Sequence, residues 1–449
     1  MSGEKRQRGD LTQGAVWKVI LSFALPLLIG NLLQQAYNLT DSIIVGQFLG
    51  KEALAAVSAS FFIYYFIISL VIGVGSGITV IVSQYCGAKQ YEQVQRAFSS
   101  FFIFMFISGI VLSVVGILFA ERCFRWTQTP EDVILPAVRY FRVYIAGTLF
   151  FITFNSLISI LRGIGDSTRP MYFILVTAVL NVLLDLLFIV VFHWGIAGAA
   201  WATITAQAVG VGMALTYVSR RHQLLSLRRR DMVFDRKLFV QGLKIGLPTS
   251  IQQCSIALGL IALLGVVNGL GTDTLTAYGA AGKIDALITQ AILTLSGALA
   301  AFCGQNIGAQ RPERVRKGVL FSMTVNLVFC LLTFAAIYCF GREMMLAFTS
   351  DESVIDIGYE YLLIIGSFFV VHGALNVFNG ALRGAGDTLF TMLTGIVSFW
   401  IARIPLAYWL SDLWGQKGIW WAINISVAFG LAATCMYYLS GRWKKRRVV

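Results

Sequence analysis

Long apolar runs separated by short polar connectors dominate this chain. Residues 16–39, 61–82, 98–119 and 176–192 are typical of them. A helix that crosses a bilayer needs roughly 20 mostly apolar residues, and these runs meet that length. Few segments alternate polar and apolar with a period of two, which argues against an outer-membrane barrel. With connectors allowed for, the chain has room for about twelve spanning helices. Composition agrees: 57% of the residues are hydrophobic and 13% are charged, where soluble domains are charged at about one residue in four. The expected fold is an all-α polytopic membrane protein in contact with the lipid bilayer.

The formal charge of +13 raises the possibility of nucleic-acid binding, but its distribution excludes that reading. Most Lys and Arg fall in every second connector when the N-terminus is placed inside. They include Lys5, Arg6 and Arg8 at the start, Arg228, Arg229 and Arg230 in the middle, and Lys444, Lys445, Arg446 and Arg447 at the end. The connector at 342–360 is acidic instead. Positive charge collects on the cytoplasmic side of membrane proteins. Both termini are therefore expected in the cytoplasm, with an even helix count and a plasma (inner) membrane location.

The 7 cysteines are scattered and form no CxxC, so they read as small buried hydrophobes. The basic start before 16–39 resembles a signal peptide, yet the apolar run is too long and no small-residue cleavage site follows; it reads as the first span. The 3 histidines, His193, His222 and His372, stand far apart, and no P-loop, HExxH or Asp-rich motif is present. An enzyme is not expected, and no cofactor is implied.

The chain repeats itself at about 221 residues. Phe23, Ala24, Leu25 and Pro26 recur as Ile245, Gly246, Leu247 and Pro248. Gln84, Gly87 and Ala88 recur as Gln305, Gly308 and Ala309. Leu161, Arg162, Gly163, Ile164, Gly165 and Asp166 recur as Leu382, Arg383, Gly384, Ala385, Gly386 and Asp387. Trp194, Gly195, Gly198 and Trp201 recur as Trp414, Gly415, Gly418 and Trp421. Each half is thus a six-helix unit, and because six is even both copies enter from the same side, as parallel repeats. The expected organisation is an N-terminal lobe at 1–219, a cytoplasmic linker at 220–237 and a C-terminal lobe at 238–449. In transporters built this way one lobe rocks against the other around a site between them. In the repeated Leu-Arg-Gly-x-Gly-Asp stretch, glycine permits a tight turn, Asp can cap the next helix and Arg can neutralise the preceding carbonyls. This stretch reads as structural and gate-lining, not as a binding site.

These residues resemble the multidrug and toxic compound extrusion (MATE) family over nearly the whole chain. The match includes Ala24, Leu25 and Pro26, the stretch from Asn38 to Asp41, the Gly50-to-Ala56 stretch, Gln84 with Gly87 and Ala88, and both glycine turns. The resemblance implies two six-helix lobes in a V shape. It also implies export of cationic or amphiphilic organic compounds in exchange for H⁺ or Na⁺.

Ionisable groups at membrane depth are costly and mark functional sites. In the first half these are Asp41, late in helix 1, and Asp185, in helix 5; Asn181 lies one turn before Asp185 on the same face. Two carboxylates and an amide oxygen form a hard-oxygen site suited to Na⁺, and the same oxygens can hold a proton instead. Thr203 of helix 6 can add a hydroxyl and Ala199, one turn earlier, a carbonyl. The resemblance places Asp41, Asn181, Asp185 and Thr203 at the family's N-lobe cation site. At the repeat offset Asp41 and Asp185 correspond to Ala262 and Leu406, so the duplicated architecture does not require the acids. Pro26 permits a kink about four turns before Asp41.

The second half departs from the members of the family that carry acids in helices 7 and 10. It offers Gln252 and Gln253, then His372, Asn376 and Asn379. Its remaining charges, Lys283, Asp285 and Arg403, read as an ion pair of Asp285 with Arg403 or Lys283, with Asp285 as a substrate contact the other reading. Gln34, Tyr37, Asn155, Asp285 and His372 are candidates for the substrate cavity, where the chain's 33 Phe, 16 Tyr and 10 Trp suit organic cations through cation–π attraction. A lipid or lipid-linked oligosaccharide flippase is the alternative, which the acidic charges at depth disfavour. A monomer suffices.

Overall fold

The computed structural model describes residues 9–126, 131–221 and 224–445. Lys5, Arg6, Arg8, His222, Arg446 and Arg447 lie outside them. The described residues are helical, with no strand among them. Ten helices are long and apolar enough to span a membrane, and two bent helix pairs bring the number to twelve. In chain order they are α1 (Val16–Gly50), α2 (Ile63–Gly87), α3 (Tyr91–Trp126), α4 (Ile134–Ala146 with Thr148–Ile164), α5 (Thr168–Val191) and α6 (Ile196–Arg220). The second set is α7 (Arg236–Asn268), α8 (Thr272–Gly308), α9 (Pro312–Leu346), α10 (Glu352–Ser367 with Phe369–Gly384), α11 (Thr388–Trp414) and α12 (Gln416–Leu439). Spanning segments must satisfy their backbone internally, which the helix does. The outward faces are apolar, as at Leu320, Leu327, Leu331 and Leu332 of α9.

The repeat extends to backbone conformation. Gly50 and Gly271 have φ of 82° and 102°, Gly165 and Gly386 have 95° and 89°, and Gly195 and Gly415 have 61° and 59°. Each pair is one repeat apart, and each position sits in the left-handed region that glycine enters without a Cβ clash. The bends of α4 (46°) and α10 (49°) also correspond.

The glycine turns close alike. Asp166 donates its backbone N–H to Leu161 O (2.9 Å), and Asp387 does the same to Leu382 O (2.9 Å). Tyr217 Oη donates to Asp166 Oδ2 (3.1 Å), and Tyr437 Oη donates to Asp387 Oδ2 (2.5 Å). The expected helix cap forms in the first turn, where Arg169 N donates to Asp166 Oδ1 (3.2 Å), but Asp387 makes no side-chain cap. Both arginines stand in the last turn of the preceding helix, without a hydrogen bond to its carbonyls among the described residues. Arg383 instead donates to Gln252 Oε1 (3.3 Å), and Arg162 Nε is buried without an acceptor.

Contacts divide the chain into two compact units: Met1–Asp10 with Leu25–Leu247, and Leu11–Ala24 with Pro248–Val449. The chain changes unit next to Pro26 in α1 and at Pro248 in α7, the two repeated prolines. Within the first unit the basic stretch before α7 is held against α3. Gln95 receives a bond from Ser226 N (2.7 Å) and donates to Ser226 O (2.8 Å), and Ser100 Oγ accepts from Asp235 N (2.7 Å).

Candidate cation site

The site in the first unit is assembled from α1, α5 and α6. Asp185 is fully buried, Asn181 and Thr203 are buried, and Asp41 is half-buried. α5 presents Asn181 and Asp185 from one face because they are one turn apart. Immediately after Asp185 the helix widens into a π turn at Leu186–Val191, a local device common at functional positions. Asp41 of α1 lies close enough to Asp185 for each carboxyl to feel the other's charge.

A short relay orients the amide. Asn181 Nδ2 donates to Thr203 Oγ1 (3.2 Å), and Thr203 Oγ1 donates to the carbonyl of Ala199 (3.1 Å). With its NH₂ engaged there, Asn181 leaves its Oδ1 unused. Four buried oxygens, Asp41 Oδ1, Asn181 Oδ1 and both carboxylate oxygens of Asp185, receive no hydrogen bond from the protein. Buried polar atoms are ordinarily paired, and leaving one unpaired costs about 1–3 kcal/mol. A cluster of acceptors without donors fits a cation with oxygen ligands, or protons. Among the described residues no group of three or more His, Cys, Asp and Glu forms a metal centre, so any cation here relies on the amide and hydroxyl oxygens beside the two acids. Ala199 has given its carbonyl to Thr203, which makes it an anchor of the relay.

Tyr140 and Tyr144, missed in the sequence, lie near the acids, with Tyr64 packed behind them. Tyr140 and Tyr144 stack at 5.4 Å, and Tyr64 meets Tyr144 edge-on at 4.6 Å. Tyr140 lies in the electrostatic field of both Asp41 and Asp185. The signal was available: Tyr140 and Tyr144 are four apart, and Tyr140 recurs as Tyr361. Tyr37 sits beside Gln34 and within reach of both acids, so these two expectations join the cluster. Asn155 does not reach it with its donor, because Asn155 Nδ2 bonds to Phe151 O of its own helix (2.9 Å). Its repeat partner Asn376 makes the same bond, to His372 O (2.9 Å), which marks a shared architectural role.

Asp285 and His372 belong to a separate cluster in the second unit. Asp285 forms no ion pair with Arg403 or Lys283. It accepts from Thr289 Oγ1 (3.3 Å) and Tyr361 Oη (3.3 Å), while Lys283 lies over the Phe348 ring at 5.7 Å. Tyr278, Tyr361 and Trp420 complete an aromatic box, with ring separations of 4.8–5.8 Å. Gln252 is committed to structure, donating to Thr391 O (2.9 Å) and accepting from Arg383.

Comparison with known proteins agrees with the fold and the repeat. The MatE family model matches twice, at residues 26–187 and 248–409. The chain is 33% identical to a probable multidrug resistance protein, YpnP, of Bacillus subtilis, over 98% of both chains. It is 26% identical to a FAD transporter of Shewanella oneidensis over 97% of both. A solved transporter of the MOP superfamily from Pyrococcus furiosus, described as having a binding pocket of reverse polarity, superposes with a TM-score of 0.89 at 25% identity over 98% of both chains. With two copies of the family's domain in tandem and matching relatives along its whole length, this chain belongs to the multidrug and toxic compound extrusion (MatE) family of transporters.

Proposed function

We propose that this chain is a secondary active exporter of cationic or amphiphilic organic compounds, driven by inward movement of H⁺ or Na⁺ through the site on α1, α5 and α6. The observation that carries this reading is the set of four buried acceptor oxygens on Asp41, Asn181 and Asp185 without protein donors. Two carboxylates so placed are costly unless a cation or proton joins them. Binding an ion there offsets one of the two negative charges and relieves their repulsion, and release leaves the carboxylates to repel each other. That difference is what an ion gradient needs in order to bias one state over another. Pro26, lying in α1 ahead of Asp41, gives the helix a point at which to bend in response. No second cation site is assigned to the second unit, because Gln252 and Asn376 are engaged in structural bonds.

The protein is read as multi-pass in the plasma membrane, with both termini cytoplasmic and acting as a monomer. The half-buried Tyr37 and Tyr144, together with Gln34, offer π faces and hydroxyls to an organic cation. Similarity to the Shewanella FAD transporter extends the proposed cargo to an aromatic compound that carries anionic groups.

The test is efflux of a fluorescent organic cation from proteoliposomes under an imposed pH or Na⁺ gradient, comparing the wild type with Asp41→Asn and Asp185→Asn. Either gradient should drive efflux, and both variants should lose the coupling. A wild type that exports nothing under either gradient, yet translocates a fluorescent lipid, would replace the exporter with a flippase.

A further inference from the structure

The second unit holds a half-buried cation that the ion-coupling scheme does not use. Arg403 lies past the midpoint of α11 and is half-buried. It closes a π turn, Val397–Arg403, just as Asp185 adjoins the π turn of α5. At the repeat offset its counterpart is Val182, so the duplicated fold does not require a guanidinium there. Its orientation is fixed from two sides. Nε donates to Ser426 Oγ (2.9 Å), and the guanidinium lies over the Phe399 ring at 4.2 Å. Ser426 Oγ is itself anchored by donating to Ile423 O (2.7 Å).

What remains is unused. Among the described residues the two terminal NH₂ groups of Arg403 have no protein acceptor, and no carboxylate stands at ion-pair distance. The nearest acid is Asp285, which contributes through space but is already bonded to Tyr361 and Thr289. The other groups in Arg403's field are Tyr278, Tyr361 and His372. None is an anion bound to it. A planar guanidinium held by its Nε and by one face leaves its outer edge free, and that edge matches the two oxygens of a carboxylate or phosphate. The rings of Tyr278, Tyr361 and Trp420 pack on one another close by, with Tyr361 and Trp420 buried in the core of the second unit.

We propose that Arg403, positioned by Ser426 and Phe399, binds the anionic group of an amphiphile that also carries a positive charge, so that it selects for the zwitterionic form of a cargo over the simple cation. The inference rests on the export reading above. Asp285 keeps the neighbourhood near neutral overall, which suits a molecule bearing both charges better than a polyanion. Arg403 is a binding residue in this scheme; Ser426 is a positioning residue.

The test uses two dyes that differ by one group: tetramethylrhodamine methyl ester, a cation, and the corresponding free acid, a zwitterion. Gradient-driven efflux of each is measured from proteoliposomes of wild type, Arg403→Gln, Arg403→Lys and Ser426→Ala. A charge-assisted pair lost on Arg403→Gln should lower efflux of the acid by about tenfold to a hundredfold. Efflux of the ester should stay within about twofold of wild type. Arg403→Lys keeps the charge without the fork and should fall between. Ser426→Ala should raise the KM for the acid with little change in kcat. Ester efflux also reports folding: a variant that exports the ester is intact. A third arm follows a fluorescent phosphatidylserine, to separate a lipid headgroup from a free cargo anion. Arg403-dependent translocation of that lipid, with no efflux of the acid, keeps the anion site and makes lipid its source. The proposal is overturned if Arg403→Gln affects acid and ester equally, or neither, or if wild type handles neither the acid nor the lipid. Failure of the wild type to export even the ester would sink the export reading instead.

Discussion

Asn181 Nδ2 donates to Thr203 Oγ1 at 3.2 Å, joining α5 to α6. An amide has two ends, and occupying the NH₂ end commits the carbonyl end to the side of Asp185. Thr203 in turn spends its proton on Ala199 O, so the hydroxyl can only accept from Asn181. The direction of the whole relay follows from one backbone carbonyl.

Thr203→Val therefore breaks the orientation of Asn181 and removes the hydroxyl oxygen, while both carboxylates and the amide remain in place. The freed amide is buried, and an unpaired buried group costs about 1–3 kcal/mol. The concentration of driving ion needed for half-maximal efflux should rise about tenfold, while Thr203→Ser stays near wild type. Titrating the imposed Na⁺ or proton gradient against efflux rate checks this. Equal behaviour of the Val and Ser variants would mean that the relay does not orient the site.

The tyrosine bonds at the two glycine turns give a paired prediction. Tyr217→Phe and Tyr437→Phe each remove one hydroxyl that donates to a buried carboxylate, Asp166 or Asp387. Each should lower the stability by about 1 kcal/mol and the thermal midpoint by ~2–4 °C. Unfolding followed by intrinsic fluorescence in detergent measures this. Transport by the folded fraction should be unchanged; a loss of coupling in Tyr217→Phe would give the turn a gating role.

A compensated exchange of residues separates the repeats. A Cβ on Gly75 would meet Ser159 Oγ at 2.7 Å, and one on Gly380 would meet Ser296 Oγ at 2.9 Å. At the repeat offset Gly75 corresponds to Ser296 and Ser159 to Gly380, so each half places one glycine and one serine at this crossing, on opposite helices. Gly75→Ser alone should destabilise by about 1–3 kcal/mol through overpacking. Combined with Ser159→Gly it should recover most of that loss, with a coupling energy of about 1 kcal/mol or more. Additive losses in the double variant would show that the two positions do not share space.

Gln252→Leu tests the division of labour between the units. It removes both the bond to Thr391 O and the acceptor for Arg383, so the thermal midpoint should fall by a few degrees. Ion-driven efflux per folded molecule should remain within about twofold of wild type. A selective loss of ion coupling, with stability intact, would place a cation contact in the second unit after all.

Much of this protein could be read from its residues. Apolar run length set the helices, because a bilayer admits only segments that satisfy their own backbone. The offset between motifs set the duplication, and the paired left-handed glycines carry it into the backbone. Asp41, Asn181 and Asp185 stood out because a carboxylate at membrane depth needs a partner. Tertiary structure alone decided three further matters. Side chains on different helices meet according to rotation and bend, which a hydropathy pattern does not encode, so Tyr140 and Tyr144 came to lie beside the acids unannounced. The π turns changed the register within α5 and α11, so Arg403 was aimed at Ser426 and Phe399 and not at Asp285. And an amide's partner is a matter of ångströms: Asn181 and Asn155 look alike in the sequence, yet one is turned by Thr203 to leave a carbonyl open and the other is spent on its own helix.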